Sequence, residues 1–305
     1  MVDVVVAGAG PLGASVAYHL ARRGMAVTVA TADDAPASYR SSGGSVCWHR
    51  PDPRHAAAIE ETATFVRDAV AAGAAIDCRA VPYLFVHKGV MAPALNISSP
   101  DLVAHLLHEA RTSGTSMVDI GHIAAVEQDD DGYTVLGGSA AVSGRAVVLA
   151  LGVGNIGVMP GLHGAVEKRQ LFVLDLPVDD DRARWPHTIV RIADGYAYVF
   201  VKRFSRGLRV VVGHEDLVED DDKTGAVDYF ADLLNAGVGE RFPWLRGAQV
   251  EQVLWGLDWA ATKRPHIATD DAGLFSVNAG SAVRVCIPAG RQLADRVAET
   301  LQAAA

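Results

Sequence analysis

The 305-residue sequence has only three cysteines, and their arrangement argues against both a disulfide framework and a metal site. Cys47, Cys78 and Cys286 are odd in number, far apart and without the short spacing of metal ligands. His105 and His108 lie three residues apart, but no third ligand is spaced with them. We therefore expect no bound metal, and reduced thiols in a cytoplasmic protein.

Long apolar runs and clusters of positive charge are also missing. No run approaches the roughly 20 apolar residues that span a membrane, and the first run is short and lacks the basic start of a signal peptide. The formal net charge is -9 without a Lys/Arg-rich stretch, which argues against nucleic acid or an anionic membrane as partner. With 50% hydrophobic and 21% charged residues, the composition is that of a globular protein of about two domains.

A glycine-rich turn near the beginning of the chain is the first positive signal. Residues 4–24 read VVVAGAGPLGASVAYHLARRG, which predicts a buried strand, a turn and a helix. Gly8 permits a tight turn, Gly10 lets the backbone approach a pyrophosphate, and Gly13 lets the helix pack against the strand. The helix N-terminus presents N–H groups to phosphate oxygens. Because a second strand follows at residues 25–30, the segment predicts dinucleotide binding.

The acidic residue that usually binds the adenosine ribose is missing from the end of the second strand. That strand ends at Ala30 and Thr31, and Asp33 and Asp34 follow in the loop. Thr31 could form a weaker hydrogen bond, and Asp33 could reach the ribose from the loop. A plain turn role for both aspartates is an equally good interpretation. Arg40 lies too far along the chain to indicate a 2′-phosphate.

The remaining segments predict strands and helices that alternate at both ends of the chain and a strand-rich middle. Predicted helices and buried strands lie at residues 53–72, 98–114 with Ser99 as N-cap, 146–151, 227–237, 275–280 and 288–304. Residues 166–216 read as an antiparallel sheet. This order predicts an α/β nucleotide-binding domain that is interrupted by an inserted sheet domain.

Taken together, these segments resemble the flavin-dependent D-amino acid oxidase superfamily, especially its glycine oxidase and sarcosine oxidase branches. The glycine turn resembles the FAD fingerprint of that family, and SGRAVVLALGVGN at 143–155 resembles the strand beside the cofactor. The segment GYAYVFVKRFSRGLRVVVGHE at 195–215 resembles its central hairpin. Residues 262–301, with FSVNAGSAVRV, resemble the C-terminal segment that closes the FAD site, although only Gly280 of its glycine pattern is kept.

The resemblance implies a Rossmann-like FAD-binding domain with an inserted, mostly antiparallel β-sheet substrate domain. The implied boundaries are 1–80, 96–163 and 262–305 for the FAD-binding domain, and 81–95 and 164–261 for the substrate domain. FAD is expected rather than a nicotinamide cofactor, because a simple nicotinamide dehydrogenase needs no returning FAD-closing strand. His49 and Cys47 stand near the flavin loop without the motifs of covalent attachment, so non-covalent FAD is expected.

The resemblance also implies which residues hold the cofactor. The expected FAD-binding residues are Gly8, Ala9, Gly10, Pro11, Leu12, Gly13, Thr31, Asp33, Ser42, Gly43, Gly44, Ala150, Gly152, Gly280, Arg284 and Val285.

The chemistry implied is oxidation of an amine or amino acid at its C–N bond, by hydride transfer to flavin N5. The imine product hydrolyses, and oxygen or another acceptor reoxidises the flavin. A guanidinium is needed for a substrate carboxylate, and Arg264, Arg50 and Arg284 are the candidates. Lys263 and Lys202 are candidate cations near the flavin, each of which could instead be structural. Tyr198 and Tyr196 share one strand face, which could line the pocket or lie in the core.

Two alternatives stay open at the level of the sequence. The chain could be a biosynthetic dehydrogenase of a modified amino acid with the same fold, because the segment between Val81 and Ser98 is shorter than is usual in the family. It could also be a non-catalytic FAD-fold protein that binds a ligand or partner, because Thr31 replaces the acidic residue. Under the leading hypothesis the partner is a small-molecule amine or amino acid.

Overall fold

A computed structural model describes residues 1–32, 38–47, 52–159, 166–176, 178–192, 195–204, 206–217, 226–259, 265–269 and 273–303. Three sheets and eight α-helices are present in these ranges. Within them, no helix is long and apolar enough to cross a membrane.

The strands are β1 (Val2–Ala7), β2 (Val27–Thr31), β3 (Ser45–Cys47), β4 (Cys78–Ala80), β5 (Tyr83–Phe85), β6 (Val90–Ala92), β7 (Ala94–Ile97), β8 (Ser116–Asp119), β9 (Ile123–Asp129), β10 (Gly132–Gly137), β11 (Ala141–Leu149), β12 (Val166–Leu174), β13 (His187–Ile192), β14 (Gly195–Phe204), β15 (Gly207–Leu217), β16 (Val250–Trp259), β17 (His266–Thr269) and β18 (Leu274–Asn278). The α-helices are α1 (Pro11–Ala21), α2 (Pro53–Ala71), α3 (Ser99–Thr112), α4 (Asn155–Val158), α5 (Asp180–Ala183), α6 (Ala226–Leu233), α7 (Gly239–Arg241) and α8 (Cys286–Ala303).

The first sheet carries the glycine turn and has the strand order β17-β18-β11-β1-β2-β8. From β18 to β8 the neighbouring strands are parallel, and the hairpin β9–β10 attaches to β11. Val4, Val5 and Val6 of β1 are fully buried, because helices cover one face of the sheet and the β9–β10 hairpin the other. This burial on both faces explains the unbroken apolar run in the sequence.

The second sheet has the order β16-β12-β15-β14-β13-β5-β6, and its described strands pair antiparallel apart from the parallel pair β5–β13. Strand β14 alternates its side chains between two environments. Ala197, Val199 and Val201 pack with α6 in an apolar core, whereas Tyr198 and Phe200 face the opposite way. The small sheet, in the order β3-β7-β4, is formed by residues between β2 and β8 of the first sheet, and β5 and β6 of the second sheet lie between its strands β4 and β7 in the chain.

The predicted fold class is confirmed, and most predicted elements are present with shifted ends. The N-cap of α3 is Ser98 rather than Ser99: the Ser98 side chain accepts a hydrogen bond from Asp101 N at 3.4 Å, and Ser99 is buried in the first turn. The helix expected to end near Gly237 ends at Leu233, and a π-helical turn with Gly237 at φ 125° follows it. The domain boundaries stay a prediction. Within the predicted insertion 81–95, β5 and β6 pair with strands of the second sheet, and β6 ends at residue 92.

Candidate functional site

A cavity of about 730 Å³ lies between the glycine turn of the first sheet and one face of the second sheet. The turn after β1, the loop before β3 and the turn after β11 line one part of it. Side chains of β5, β13, β14 and β16 line another part, together with the segment 279–284 that follows β18. Segments that are distant in the chain therefore share one cavity of the size that binds small molecules.

The glycine turn has the geometry that a pyrophosphate requires. Gly8 has φ +105°, and a Cβ there would lie 2.6 Å from the carbonyl oxygen of Ala150. A Cβ on Gly13 would overlap the carbonyl oxygen of Gly8, so only glycine lets α1 pack at this distance. At Gly10, in contrast, the nearest atom to a Cβ is Tyr39 Cδ1 at 3.9 Å, and the residue lines the cavity. Gly10 is also the N-cap of α1, so the helix N-terminus and open space meet where a dinucleotide phosphate fits.

Other expected cofactor-binding residues lie on the same wall. Ala9, Pro11, Leu12, Ala150 and Gly152 line the cavity. Gly152 has φ +62°, and no atom lies within 4 Å of the position of its Cβ. This open space leaves room for a ligand beside the turn that follows β11.

The adenosine end of the site differs from the usual arrangement. Thr31 ends β2 and lines the cavity, but its hydroxyl donates to the carbonyl of Val118 at 3.4 Å. Asp33 lies outside the described residues. Tyr39 and Arg40, on a 3₁₀ turn at Ser38–Ser41, line the cavity as well. Among the described residues, hydroxyl and guanidinium groups therefore line this end of the cavity.

The loop Ser42–Gly44 lines the cavity and is tightly packed from two sides. Gly44 has φ +64°, and a Cβ there would overlap the carbonyl oxygen of Ile97. A Cβ on Gly43 would lie 3.0 Å from Phe200 Cζ of the second sheet. Lys202 Nζ donates to the carbonyl oxygen of Ser42. The loop thus joins the small sheet to the second sheet.

Lys202 is a buried cation and gives a testable pH dependence. It is 6% exposed, and burial lowers the pKa of its ammonium from 10.5 to about 8. Since the folded-state pKa is lower than the unfolded one, protonation favours unfolding, and stability rises between pH 8 and 10.5. The full effect corresponds to about 3 kcal/mol. Urea unfolding from pH 7 to 10.5 should show wild type gaining stability relative to Lys202→Met; a difference that stays constant with pH would contradict this.

The segment after β18 brings Arg284 to the cavity. Ser281 has a left-handed backbone at φ 57°, and its N–H donates to Asp258 Oδ2 at 3.0 Å. Arg284 lines the cavity, where its Nε donates to the carbonyl oxygen of Ser45 at 2.8 Å. Gly280 and Val285, which were expected to bind FAD, do not line it: Gly280 is buried and Val285 lies in the apolar core. These two residues therefore support the segment by packing.

An aromatic stack beside Arg284 was not predicted from the sequence. The ring of His187 lies between Tyr83, at 4.3 Å and 11°, and Phe200, at 4.4 Å and 4°. Arg284 Nη2 donates to the Tyr83 hydroxyl at 3.4 Å. The sequence left open whether Tyr198 lines the pocket or lies in the core. In the structure it lines the cavity, and its ring is edge-on to His187 with the ring centroids 5.9 Å apart.

His187 is buried and neutral. It is 4% exposed, and burial, followed by the charge of Arg284, holds its pKa well below the usual value of 6.5. Its Nδ1 is hydrogen-bonded to the hydroxyl of Ser45. The only sequence signal for this site was the histidine itself, and the partners that enclose it come from three other strands.

Besides Asp33, three expected site residues lie outside the described residues: Arg50, Lys263 and Arg264. Their roles toward substrate or flavin stay predictions. Tyr196, the neighbour of Tyr198 on the same strand face, is 42% exposed and does not line the cavity.

Comparison with known proteins supports the identity of the glycine turn. Residues 3–96 match the sequence model of the DAO family, described as FAD dependent oxidoreductase. The match covers the part of the chain that contains the glycine turn, and it confirms the resemblance and the expected cofactor there. Among curated proteins, no sequence match was found.

Solved structures share the fold over nearly the whole chain. Iminodiacetate oxidase from Chelativorans sp. BNC1 is 20% identical with a TM-score of 0.77, over 97% of this chain and 95% of that one. Glycine oxidase from Geobacillus kaustophilus is 16% identical with a TM-score of 0.73, over 98% and 95%. L-proline dehydrogenase from P. horikoshii is 15% identical with a TM-score of 0.78, over 98% and 93%. At these identities the likeness establishes the fold.

Proposed function

We propose that this protein is an FAD-dependent oxidoreductase that oxidises an amine or amino acid at its C–N bond. The observation that carries the proposal is one continuous cavity that joins a pyrophosphate-binding turn to a polar and aromatic wall containing Arg284. The structural neighbours include oxidases of glycine and iminodiacetate and a dehydrogenase of proline, all of which are small amines with a carboxylate. A small amine with a carboxylate is compatible with this cavity, in which aromatic rings line the part of the wall next to Arg284.

The protein residues would bind, orient and shield the reactants. The glycine turn and the N-terminus of α1 would hold the pyrophosphate, and the loop Ser42–Gly44 would hold the cofactor from the other side. Arg284 would bind a substrate carboxylate, because a guanidinium offers several N–H donors to its oxygens. The chemistry that FAD supplies when bound is acceptance of a hydride from the carbon that carries the nitrogen, with later transfer of both electrons to oxygen. The imine left behind is hydrolysed by water.

Further residue roles follow from the resemblance and belong to the same proposal. Arg264 and Arg50 would complete the carboxylate clamp, Lys263 would be a cation close to the flavin, and Tyr198 would line the substrate end. FAD would be bound without a covalent link. The FAD-binding domain would comprise 1–80, 96–163 and 262–305, and the substrate domain the rest of the chain.

The visible absorption spectrum of the purified protein tests this function directly. We expect the two bands of oxidised flavin, release of free FAD on denaturation, and anaerobic bleaching by some member of a panel of amino acids and N-methyl amines. Release on denaturation separates non-covalent from covalent FAD. A panel with glycine, sarcosine, proline and iminodiacetate covers the substrate classes of the neighbours.

Two results would contradict the proposal. A colourless protein that takes up no added FAD would exclude a flavin enzyme altogether. A yellow protein that no amine or amino acid bleaches would leave the flavin but exclude amine oxidation. For the carboxylate clamp, replacing Arg264 and Arg50 together with methionine is expected to slow bleaching by amino acids, and an unchanged rate would remove both from the proposal.

A further inference from the structure

Lys202 is a buried cation that lies behind the loop Ser42–Gly44. It follows Tyr198 and Phe200 on one face of β14, but unlike them it does not line the cavity. Its Nζ donates to the carbonyl oxygen of Ser42, and within the described part of the chain no carboxylate pairs with it. Burial lowers its pKa to about 8, so most of these ammonium groups are still charged at pH 7. A buried charge without a counterion is costly, and its presence beside a cavity indicates a functional role.

The junction between β14 and the loop is fixed by several contacts next to this lysine. A Cβ on Gly43 would lie 3.0 Å from Phe200 Cζ, so the loop rests directly on the strand. Arg79 Nη2 and Asn96 Nδ2 donate to the carbonyl oxygen of Val201 at 2.9 Å and 3.2 Å, which ties β4 and β7 of the small sheet to the same point of β14. The direction of the carbonyl group that the lysine binds is therefore well determined.

The peptide group between Ser42 and Gly43 presents a donor on the side opposite to Lys202. No peptide bond among the described residues is cis, and in a planar trans peptide the C=O and the N–H point in opposite directions. Because the carbonyl oxygen faces a lysine outside the cavity wall, the N–H of Gly43 faces the other way. Ser42 and Gly43 both line the cavity, and Gly43 is only partly buried. No acceptor in the described ranges bonds to this N–H, so it is available to a ligand.

The position of Gly43 along the cavity indicates which part of a dinucleotide its N–H would meet. The 3₁₀ turn before the loop places Tyr39 against the glycine turn, where the pyrophosphate fits. At the other end of the loop, the carbonyl oxygen of Ser45 accepts from Arg284 Nε at 2.8 Å. Gly43 lies between these two points and against Phe200, one of the aromatic rings of the cavity wall. A flavin ring beyond the pyrophosphate would therefore pass this N–H.

We propose that Lys202 is a positioning residue, which holds the Ser42–Gly43 peptide so that the Gly43 N–H donates to the flavin ring of FAD. This inference rests on the FAD binding of the proposed function and adds to it a role for a residue that does not touch the cofactor. The charge of Lys202 also polarises the peptide group to which it is bonded, and this makes the N–H on the other side a stronger donor. Lys202 thus acts on the flavin ring and not on the adenosine or the pyrophosphate.

Binding of FAD and of ADP to the full-length apoprotein tests this role without turnover. ADP carries the adenosine and both phosphates but no flavin ring. Lys202→Met keeps a long apolar side chain and removes the ammonium. We expect it to raise the Kd of FAD about ten-fold and to leave the Kd of ADP nearly unchanged, as measured by flavin fluorescence and by calorimetry. The absorption bands of the bound flavin should also shift, because its ring loses a hydrogen-bond donor.

Three control variants separate the direction of this peptide group from general loosening of the loop. Lys202→Arg keeps a charged donor and is expected to keep most of the FAD affinity and the wild-type flavin bands. Asn96→Ala loosens the same junction but leaves Lys202 and the Ser42 carbonyl in place, so the bands should not shift. Lys88→Met removes an exposed lysine that does not line the cavity and should have no effect. Thermal unfolding shows which variants are folded, and if Lys202→Met is not, Lys202→Gln, whose amide is too short to reach the loop, replaces it.

The results that overturn this role differ from those that overturn the proposed function. Unchanged FAD affinity in Lys202→Met, or an equal loss of affinity for FAD and ADP, would exclude a specific effect on the flavin ring. The same band shift in Asn96→Ala would show that Lys202 only stabilises the junction. A yellow wild-type protein that no amine bleaches would reject amine oxidation, while a selective loss of FAD affinity in Lys202→Met would still support the positioning role. A protein that takes up no FAD would reject both.

Discussion

Replacing Gly10 with alanine is expected to give a folded protein that binds FAD about 10- to 100-fold more weakly. A methyl group on Gly10 would project into the cavity, where the nearest atom is Tyr39 Cδ1 at 3.9 Å, so the protein alone has room for it. The bound pyrophosphate would not, since it must approach the backbone at this position. Flavin content after purification and FAD titration of the apoprotein measure the effect, while the thermal midpoint of the apoprotein should change little.

Two other glycines serve as controls for this result. A Cβ on Gly13 would overlap the carbonyl oxygen of Gly8, so Gly13→Ala should lower the thermal midpoint of the apoprotein and remove FAD together. Gly247 has no atom within 4 Å of its Cβ position and does not line the cavity, so Gly247→Ala should change neither property. Full retention of FAD by Gly10→Ala would place the pyrophosphate elsewhere in the cavity.

Replacing Arg284 with methionine is expected to reduce kcat/KM for an amino acid substrate by about 30- to 1000-fold, which corresponds to about 2–4 kcal/mol of lost carboxylate binding. The Arg284 guanidinium lies on the cavity wall beside the stacked rings of Tyr83, His187 and Phe200. Its Nε contacts the Ser45 carbonyl, and its Nη groups extend beyond that contact. Anaerobic flavin reduction at varied substrate concentration would show the loss mainly as weaker substrate binding.

Two matched variants separate the contribution of the positive charge of Arg284 from that of its forked N–H donors. Arg284→Lys keeps the charge but loses the forked donor geometry, so it should recover only part of the rate. Arg191→Met, on the exposed side of β13, removes an arginine that does not line the cavity and should have no effect. An unchanged rate in Arg284→Met, with flavin still bound, would show that the substrate carboxylate rests on another residue.

The glycine turn and the first sheet were predictable because their signals are local. Gly8, Gly10 and Gly13 form a spacing that is readable within six residues, even though the carbonyl that excludes a Cβ at Gly8 belongs to the distant Ala150. Burial on both faces likewise produces the apolar run of β1. The same locality explains the small error at α3. Ser98 and Ser99 are adjacent serines before Pro100, and propensity cannot distinguish which of them caps the helix.

The stack around His187 could not be predicted, because its members are far apart in the sequence. Tyr83 comes from β5, His187 from β13 and Phe200 from β14, and only the pairing of these strands brings their rings together. A lone histidine in an apolar strand carries no sign of the serine that binds its Nδ1. The sequence likewise indicated Arg284 through a family resemblance, whereas its contacts with Ser45 and Tyr83 depend on the folded chain.

Gly280 and Val285 were predicted to bind FAD because they lie close to the C-terminal motif; neither lines the cavity, and their role toward FAD stays a prediction. Both flank the short turn that carries Arg284, but Val285 points into the core that α8 shares with the first sheet. Alternation of buried and cavity-facing positions in an irregular turn has no fixed period, so sequence spacing alone does not predict it.

The position of β18 in the first sheet has a consequence for biosynthesis. Residues 274–278 pair with β11, which is more than a hundred residues earlier in the chain, and the turn after them supplies part of the cavity wall. A nascent chain that has not yet emerged from the ribosome beyond residue 284 would expose the edge of β11 and lack Arg284. The cavity wall is therefore complete only once residues 274–284 have joined the first sheet, and a chain without them is expected to aggregate more readily through the open edge of β11.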